Sequence, residues 1–254
     1  MKIYRYEHKG GIRWGALRGD ALVPLAGSIF EAPVEAGEPI PIGEVRILAP
    51  VAPSKIVAVG RNYKDHAAEM GNPLPVEPLL FLKPSTAVIG PREPILYPSA
   101  SSRVDYEGEL AVVIRKTARN LSDEADAADF ILGCTCLNDV TARDLQEKDK
   151  QFTRAKSFDT FAPMGPCLAT GLDPADLEIK TFLNGRLCQS SRTRHLIFPV
   201  PFLVRFISRI MTLLPGDVIT TGTPAGVGPM RPGDRIDIQI EGIGTLSNEV
   251  KAIG

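Results

Sequence analysis

The sequence predicts an α+β chain that is mainly β, and three observations carry that expectation. Short apolar runs of strand length recur along all 254 residues, each closed by turn residues. The 22 prolines and 23 glycines are dispersed beside these runs rather than pooled in one low-complexity segment, as turn-rich β proteins use them. Only a few stretches have a helical period, and they do not alternate regularly with strands, which disfavours a doubly wound nucleotide-binding fold. Composition agrees with a globular chain. Hydrophobic residues make up 44% and charged residues 23%, and 29 Lys+Arg nearly cancel 30 Asp+Glu. That balance excludes intrinsic disorder and argues against a binder that grips nucleic acid by bulk positive charge.

Taken in order, Lys2–Tyr6, Ile12–Leu17 and Ala21–Pro24 read as short strands, with Lys9-Gly10-Gly11 and Gly19-Asp20 as turns. Residues 31–41 are rich in Pro, Glu and Gly and read as a linker, so a small β-rich N-terminal domain is expected over 1–50 and the main domain over 51–254. Lys55–Val59 and Leu79–Leu82 are further strands. Glu109–Ile114 is apolar on both faces and is expected to be buried on both. Ser122, followed by Asp123, Glu124 and Asp126, has the pattern of a helix start. Ile131–Leu137 returns to strand. Phe202, Leu203, Phe206, Ile207 and Ile210 share one helical face, with Pro215-Gly216-Asp217 as the stop. Val218–Thr221, Arg235–Ile240 and Thr245–Val250 close the chain as strands.

Met1–Arg18 carries charge throughout and lacks the apolar stretch of a signal peptide, and no apolar run has the length of a membrane span. The four cysteines, Cys134, Cys136, Cys167 and Cys188, are too few for a disulfide scaffold in a chain of this length. The Cys134/Cys136 pair lacks the partners of a zinc site, because the histidines are His8, His66 and His195. Buried thiols and a cytoplasmic location are expected.

Several residues could carry chemistry. Glu107 and Glu109 lie two apart on a strand-like segment and point to one face, with Gly108 leaving the other face open. Bare, they would repel, so a cation is expected between them, and hard oxygen donors suit Mg²⁺ or Mn²⁺ better than zinc. The plainer alternative is a solvated pair at a sheet rim. Asp139, where an apolar strand runs out, could complete a triad; its alternative is a cap for the helix that follows. His66 and Glu69, three apart, could form a carboxylate–histidine dyad acting as a general base, or a common surface pair. The turn before them and Gly71-Asn72-Pro73 after them make this stretch a candidate lid. Lys156 among small and aromatic neighbours could be tuned for an anionic intermediate, and Arg61, Arg143 and Lys83 would together suit a small dianion. Thr221-Gly222-Thr223-Pro224-Ala225-Gly226 is a Gly-rich turn without the lysine of a phosphate loop; its N–H groups and the Thr223 hydroxyl could hold a carboxylate.

The order of these pieces is more specific than any one of them. Gly60-Arg61-Asn62-Tyr63, His66, Glu69, Phe81-Leu82-Lys83-Pro84, Asp105-Tyr106-Glu107-Gly108-Glu109, Asn138-Asp139-Val140-Thr141-Ala142-Arg143-Asp144, Lys156-Ser157-Phe158-Asp159 and Thr221-Gly222-Thr223-Pro224 together resemble the fumarylacetoacetate hydrolase family from about residue 54 to the C-terminus. Residues 1–50 look like the small N-terminal domain of its short bacterial members. The resemblance implies a mixed β-roll, usually a homodimer, with Mg²⁺ or Mn²⁺ on Glu107, Glu109 and Asp139. It implies that His66, Glu69 and Lys156 are catalytic, and that Arg61, Tyr63, Lys83, Arg143, Gln146 and Thr223 are candidates to face substrate. The chemistry it implies is an enolate drawn from a small 2-oxo acid of aromatic catabolism. The label it favours is a 2-hydroxyhepta-2,4-diene-1,7-dioate isomerase type, with hydrolysis of acylpyruvates or fumarylpyruvate and decarboxylation of oxaloacetate as alternatives. A non-catalytic metal-dependent binding protein would be expected to lack the dyad or a metal carboxylate, and none is missing here.

Overall fold

The computed structural model describes residues 1–65 and 74–253. Strands dominate, as the apolar runs and dispersed turns predict. The largest sheet runs from Val34–Glu35 through Ala21–Ala26, Gly11–Arg18, Lys2–His8, Ala162–Ala169, Ile131–Asn138, Gly108–Ile114, Val218–Thr220 and Lys55–Gly60 to Leu79–Pro84. It is mixed: Val218–Thr220 runs parallel to Lys55–Gly60, whereas Gly108–Ile114 is antiparallel to both its neighbours. A five-stranded sheet, which includes Glu178–Leu183, Arg235–Ile240 and Gly244–Ala252, packs against it, and a three-stranded ribbon joins Thr141–Ala142, Val104–Tyr106 and Gly228–Met230.

Gly108–Ile114 is the centre of this arrangement, and every residue in it is buried. Side chains alternate along a strand, so Leu110, Val112 and Ile114 enter one apolar cluster with Ile179, Ile238 and Leu246. Ala111 and Val113 enter the other with Ile56, Met164 and Val218. Each fully buried Leu, Ile or Val side chain contributes about 1.5–3 kcal/mol. A strand anchored on both faces is therefore a rigid place from which to present Glu107 and Glu109.

The N-terminal strands join the main sheet. Ile3 pairs with Leu168, so the Lys2–His8 hairpin extends the main sheet. The stretch expected as a linker holds two short strands, Val34–Glu35 and Ile40–Pro41, both paired with Ala21–Ala26. No α-helix follows Ser122; a 3-10 turn at Ala127–Phe130 is capped instead by Asp126, whose carboxylate accepts the Ala128 N–H at 2.9 Å. The acidic run is too close to the strand beginning at Ile131 for a longer helix to form. Helix Val200–Ile210 buries Val200, Leu203, Val204 and Ile207, but Phe202 and Ile210 face outward and the helix ends before Met211, ahead of the expected stop. Cys134, Cys136 and Cys167 are buried free thiols, and Cys188 is free and half-buried. Among the described residues no helix is long and apolar enough to cross a membrane.

Candidate active site

Two antiparallel strands build the site. Gly108 pairs with Asn138, so the residues just outside that pair, Glu107 and Asp139, meet at one end of the ladder. The Asp139 N–H donates to the Glu107 carbonyl at 2.9 Å, and the Asn138 side-chain oxygen accepts the Glu107 N–H at 2.9 Å. Glu107, Glu109 and Asp139 are all buried, and each offers a carboxylate oxygen such that the three lie within 4.8 Å of one another. The face opposite the carboxylates is closed rather than open. A Cβ at Gly108 would fall on the Thr181 hydroxyl, and Gln189 accepts the Gly108 N–H at 3.0 Å. Glycine is needed there for close approach.

Cations surround two of the three carboxylates. Lys156, at the end of the Thr153–Lys156 turn and 2% exposed, places Nζ 2.8 Å from Glu107 and 2.5 Å from Asp139. Lys83 donates to the other Asp139 oxygen at 2.6 Å and to the Val140 carbonyl at 3.2 Å. Arg143, the first residue of helix Arg143–Asp149, spends its guanidinium on Glu107 at 2.5 Å, Asp105 at 3.0 Å and Gln146 at 2.6 Å. Arg103 completes the cluster on Asp105.

Glu109 differs from these. Its Oε2 accepts the Thr220 hydroxyl at 2.5 Å and the Gly222 N–H at 2.7 Å, but among the described residues no cation lies within ion-pair distance of it. Burial, with Asp139 and Glu107 beside it, pushes its carboxyl well above the usual carboxylate range, and the Thr220 hydroxyl only partly offsets this. Burial lowers the Lys83 ammonium, with Asp139 opposing; for Lys156, Asp139 and Glu107 outweigh the burial and raise it. A buried carboxylate cluster that is paired on two members and unpaired on the third fits a divalent cation, and three hard oxygen donors are the set Mg²⁺ or Mn²⁺ uses.

The cluster lies on the wall of a cavity of about 320 Å³, whose other lining residues include Arg61, Phe81, Gln146, Lys150, Phe152 and Thr223. The structure thus gathers Glu107, Glu109, Asp139, Lys156, Arg61, Arg143, Gln146 and Thr223 at one place. Arg143 and Gln146 are already bonded to each other. Thr223 gives its hydroxyl to the Gly108 carbonyl at 2.9 Å and accepts from Gln189 at 2.8 Å. The Gly-rich turn does hold a carboxylate through an N–H group, but it is that of Glu109. Lys83 and Tyr63 do not line the cavity. Lys83 is fully buried behind Asp139. The Tyr63 ring is buried, its hydroxyl has no partner among the described residues, and burial with Glu109 nearby pushes its phenol well up. His66 and Glu69 lie outside the described residues.

Asn62, which the sequence offered only as part of the Gly60-Arg61-Asn62-Tyr63 motif, supports the site from behind. Fully buried, its side chain donates to the Phe198 carbonyl at 3.0 Å and the Thr221 carbonyl at 2.8 Å and accepts the Phe198 N–H at 2.8 Å. It thereby ties the turn after Lys55–Gly60 to the strand end that presents Gly222 to Glu109. A Cβ on Gly222, at φ +96°, would come within 2.8 Å of the Asn62 Cβ.

A mixed β-roll with three acidic residues buried on a cavity wall defines a class, and comparison with known proteins agrees. Residues 55–251 match the family described as fumarylacetoacetate (FAA) hydrolase C-terminal, and residues 1–50 match Rv2993c-like, N-terminal. The chain belongs to the fumarylacetoacetate hydrolase family. It is 48% identical to Protein Rv2993c of Mycobacterium tuberculosis over 260 residues, covering 98% of each chain. It is 45% identical over 224 residues to a Bacillus subtilis protein named oxaloacetate tautomerase YisK, covering 82% of this chain and 74% of that one. A solved Mycobacterium marinum structure called 2-hydroxyhepta-2,4-diene-1,7-dioate isomerase superposes with a TM-score of 0.92 at 44% identity, covering 100% of this chain and 99% of that one. Members of the family are enzymes, and this chain carries their fold.

Proposed function

We propose that the protein is a Mg²⁺- or Mn²⁺-dependent isomerase that moves a proton beside the 2-oxo group of a small dicarboxylic acid, of the 2-hydroxyhepta-2,4-diene-1,7-dioate isomerase type. The observation that carries this reading is Glu109, buried beside Glu107 and Asp139 on a cavity wall and, among the described residues, without a cation of its own. Charge supports the substrate class. Asp105, Glu107, Glu109 and Asp139 meet Lys83, Arg103, Arg143 and Lys156, four acids against four bases. Arg61 and Lys150 also line the cavity, against Glu147, so a divalent ion on the triad leaves the cavity with an excess of positive charge, which suits an anionic substrate. The relatives named as an oxaloacetate tautomerase and a heptadiene-dioate isomerase both carry names for proton shifts in such acids.

The divalent ion would polarise the 2-oxo group and lower the energy of the enolate. Lys156 reaches the same space and would donate to the oxygen that gains charge. Phe81, whose ring centroid lies 5.1 Å from the Lys156 nitrogen, and Phe152 give the cavity an apolar wall. Arg61 and Lys150 line the same cavity and would receive the second carboxylate. His66, with Glu69 orienting it, would carry the proton between C3 and the oxygen of the 2-oxo group.

The test is a panel of oxaloacetate, acetylpyruvate, fumarylpyruvate and 2-hydroxyhepta-2,4-diene-1,7-dioate, each with Mg²⁺ and with chelator, followed by ultraviolet absorbance and product analysis. Metal-dependent proton shift in a dicarboxylate without carbon–carbon cleavage is expected. Cleavage of an acylpyruvate as the main reaction would replace the isomerase with a hydrolase.

A further inference from the structure

Lys83 lies on the edge strand Leu79–Pro84, where Leu79 and Leu82 are 38% and 46% exposed, yet its own side chain is completely buried. It pairs with Ile56 across the ladder and reaches inward to Asp139 and the Val140 carbonyl. The two oxygens of Asp139 are thus divided between two ammonium groups. Lys83 holds Oδ1 from behind, and Lys156, which lines the cavity, holds Oδ2. The second oxygen is therefore the one on the cavity-lining lysine's side. We infer that Lys83 is a positioning residue that limits Asp139 to one donor oxygen and sets, by its charge, how tightly the triad holds its cation.

This inference rests on the triad being a metal site. Outer partners hydrogen-bond a metal's ligands and orient them, and loss of a neutral one weakens metal binding by about 10–100-fold. Here the outer partner is a cation, so the sign reverses. Removing it frees a carboxylate oxygen and deletes a positive charge within the same low-dielectric cluster, and both changes favour the incoming ion. The lysine therefore holds affinity down and leaves the bound ion with more of its charge for the substrate.

The experiment is Mn²⁺ titration of the full chain by calorimetry, with free Mn²⁺ checked by electron paramagnetic resonance, on wild type, Lys83→Met and Lys83→Gln. Glutamine keeps a donor near Asp139 without the charge. The expected result is a Kd at least about tenfold lower in both variants, with turnover reduced. An unchanged or higher Kd in a folded variant overturns the inference. If a variant folds only with Mn²⁺ present, a larger Mn²⁺-induced rise in Tm than in wild type supports it. If both variants stay unfolded at all Mn²⁺ concentrations, Lys83 is structural and the inference fails. Wild type that takes up no Mn²⁺ would sink the metal reading itself.

Discussion

Replacing Lys156 with methionine separates the two roles its position implies. Lys156 is 2% exposed, and its ammonium bridges Glu107 at 2.8 Å and Asp139 at 2.5 Å. Methionine has a similar reach, so little cavity forms; what is lost is the charge between two buried carboxylates. Removing one partner of a buried pair costs about 3–5 kcal/mol. Arg143 and Lys83 still hold one oxygen of each carboxylate, which places the expected loss near the lower end, about 3 kcal/mol. A divalent ion on the triad supplies the missing charge. Urea unfolding at pH 7 should therefore show Lys156→Met destabilised by about 3 kcal/mol with chelator and by about 1 kcal/mol or less with saturating Mn²⁺. Turnover of the metal-loaded variant should still fall about 10²–10³-fold, because the donor to the developing oxyanion is gone. Equal destabilisation with and without Mn²⁺ would refute the reasoning, since the lysine and the ion would then not share one site.

Three further outcomes follow from particular contacts. Asn62→Ala removes three side-chain hydrogen bonds, one fully buried, and should cost about 2–4 kcal/mol in urea unfolding, with weaker Mn²⁺ binding because the strand end holding Gly222 loosens. Burial raises the Asp144 carboxyl, but the Ser101 hydroxyl, the Ser102 N–H and hydroxyl and the Leu145 N–H outweigh it and hold the carboxyl down to about 2. Its stabilising contribution is complete above the ordinary aspartate value of about 3.9 and is lost as pH falls through about 2. The stability gap between wild type and Asp144→Asn should therefore be constant from pH 7 to 5 and narrow below pH 4; a gap that widens on acidification would contradict this. His66→Ala should lower turnover about 10²–10⁴-fold while leaving Mn²⁺ affinity unchanged, measured by assay and calorimetry together.

How much of this was legible depended on the distance over which each signal acts. Glu107 and Glu109 could be placed on one face because strand alternation is local, and Asp139 because its strand visibly runs out. That the three meet follows from the Gly108–Asn138 pairing, which only the motif order suggested. Lys83 stands in Phe81-Leu82-Lys83-Pro84, where a cation near a turn suggests a partner for a dianionic substrate; its inward turn depends on Asp139, 56 residues away. Asn62 looked like a turn residue because its partners are at Phe198 and Thr221. Helix signals at Ser122 failed for the opposite reason. The local capping pattern was present, but the strand starting at Ile131 left no room for it. That the N-terminal hairpin pairs with Ala162–Ala169 leaves no trace in either segment's composition.

The central claim, that Glu107, Glu109 and Asp139 form one divalent-ion site, is tested most directly by calorimetric Mn²⁺ titration of wild type against Glu109→Ala. Glu109 is the member to remove because no cation among the described residues is paired with it, so its loss strands no charge. The account predicts one Mn²⁺ per wild-type chain, and binding weakened at least about 100-fold in a variant that still folds without metal. Equal Mn²⁺ affinity in the two proteins would contradict it.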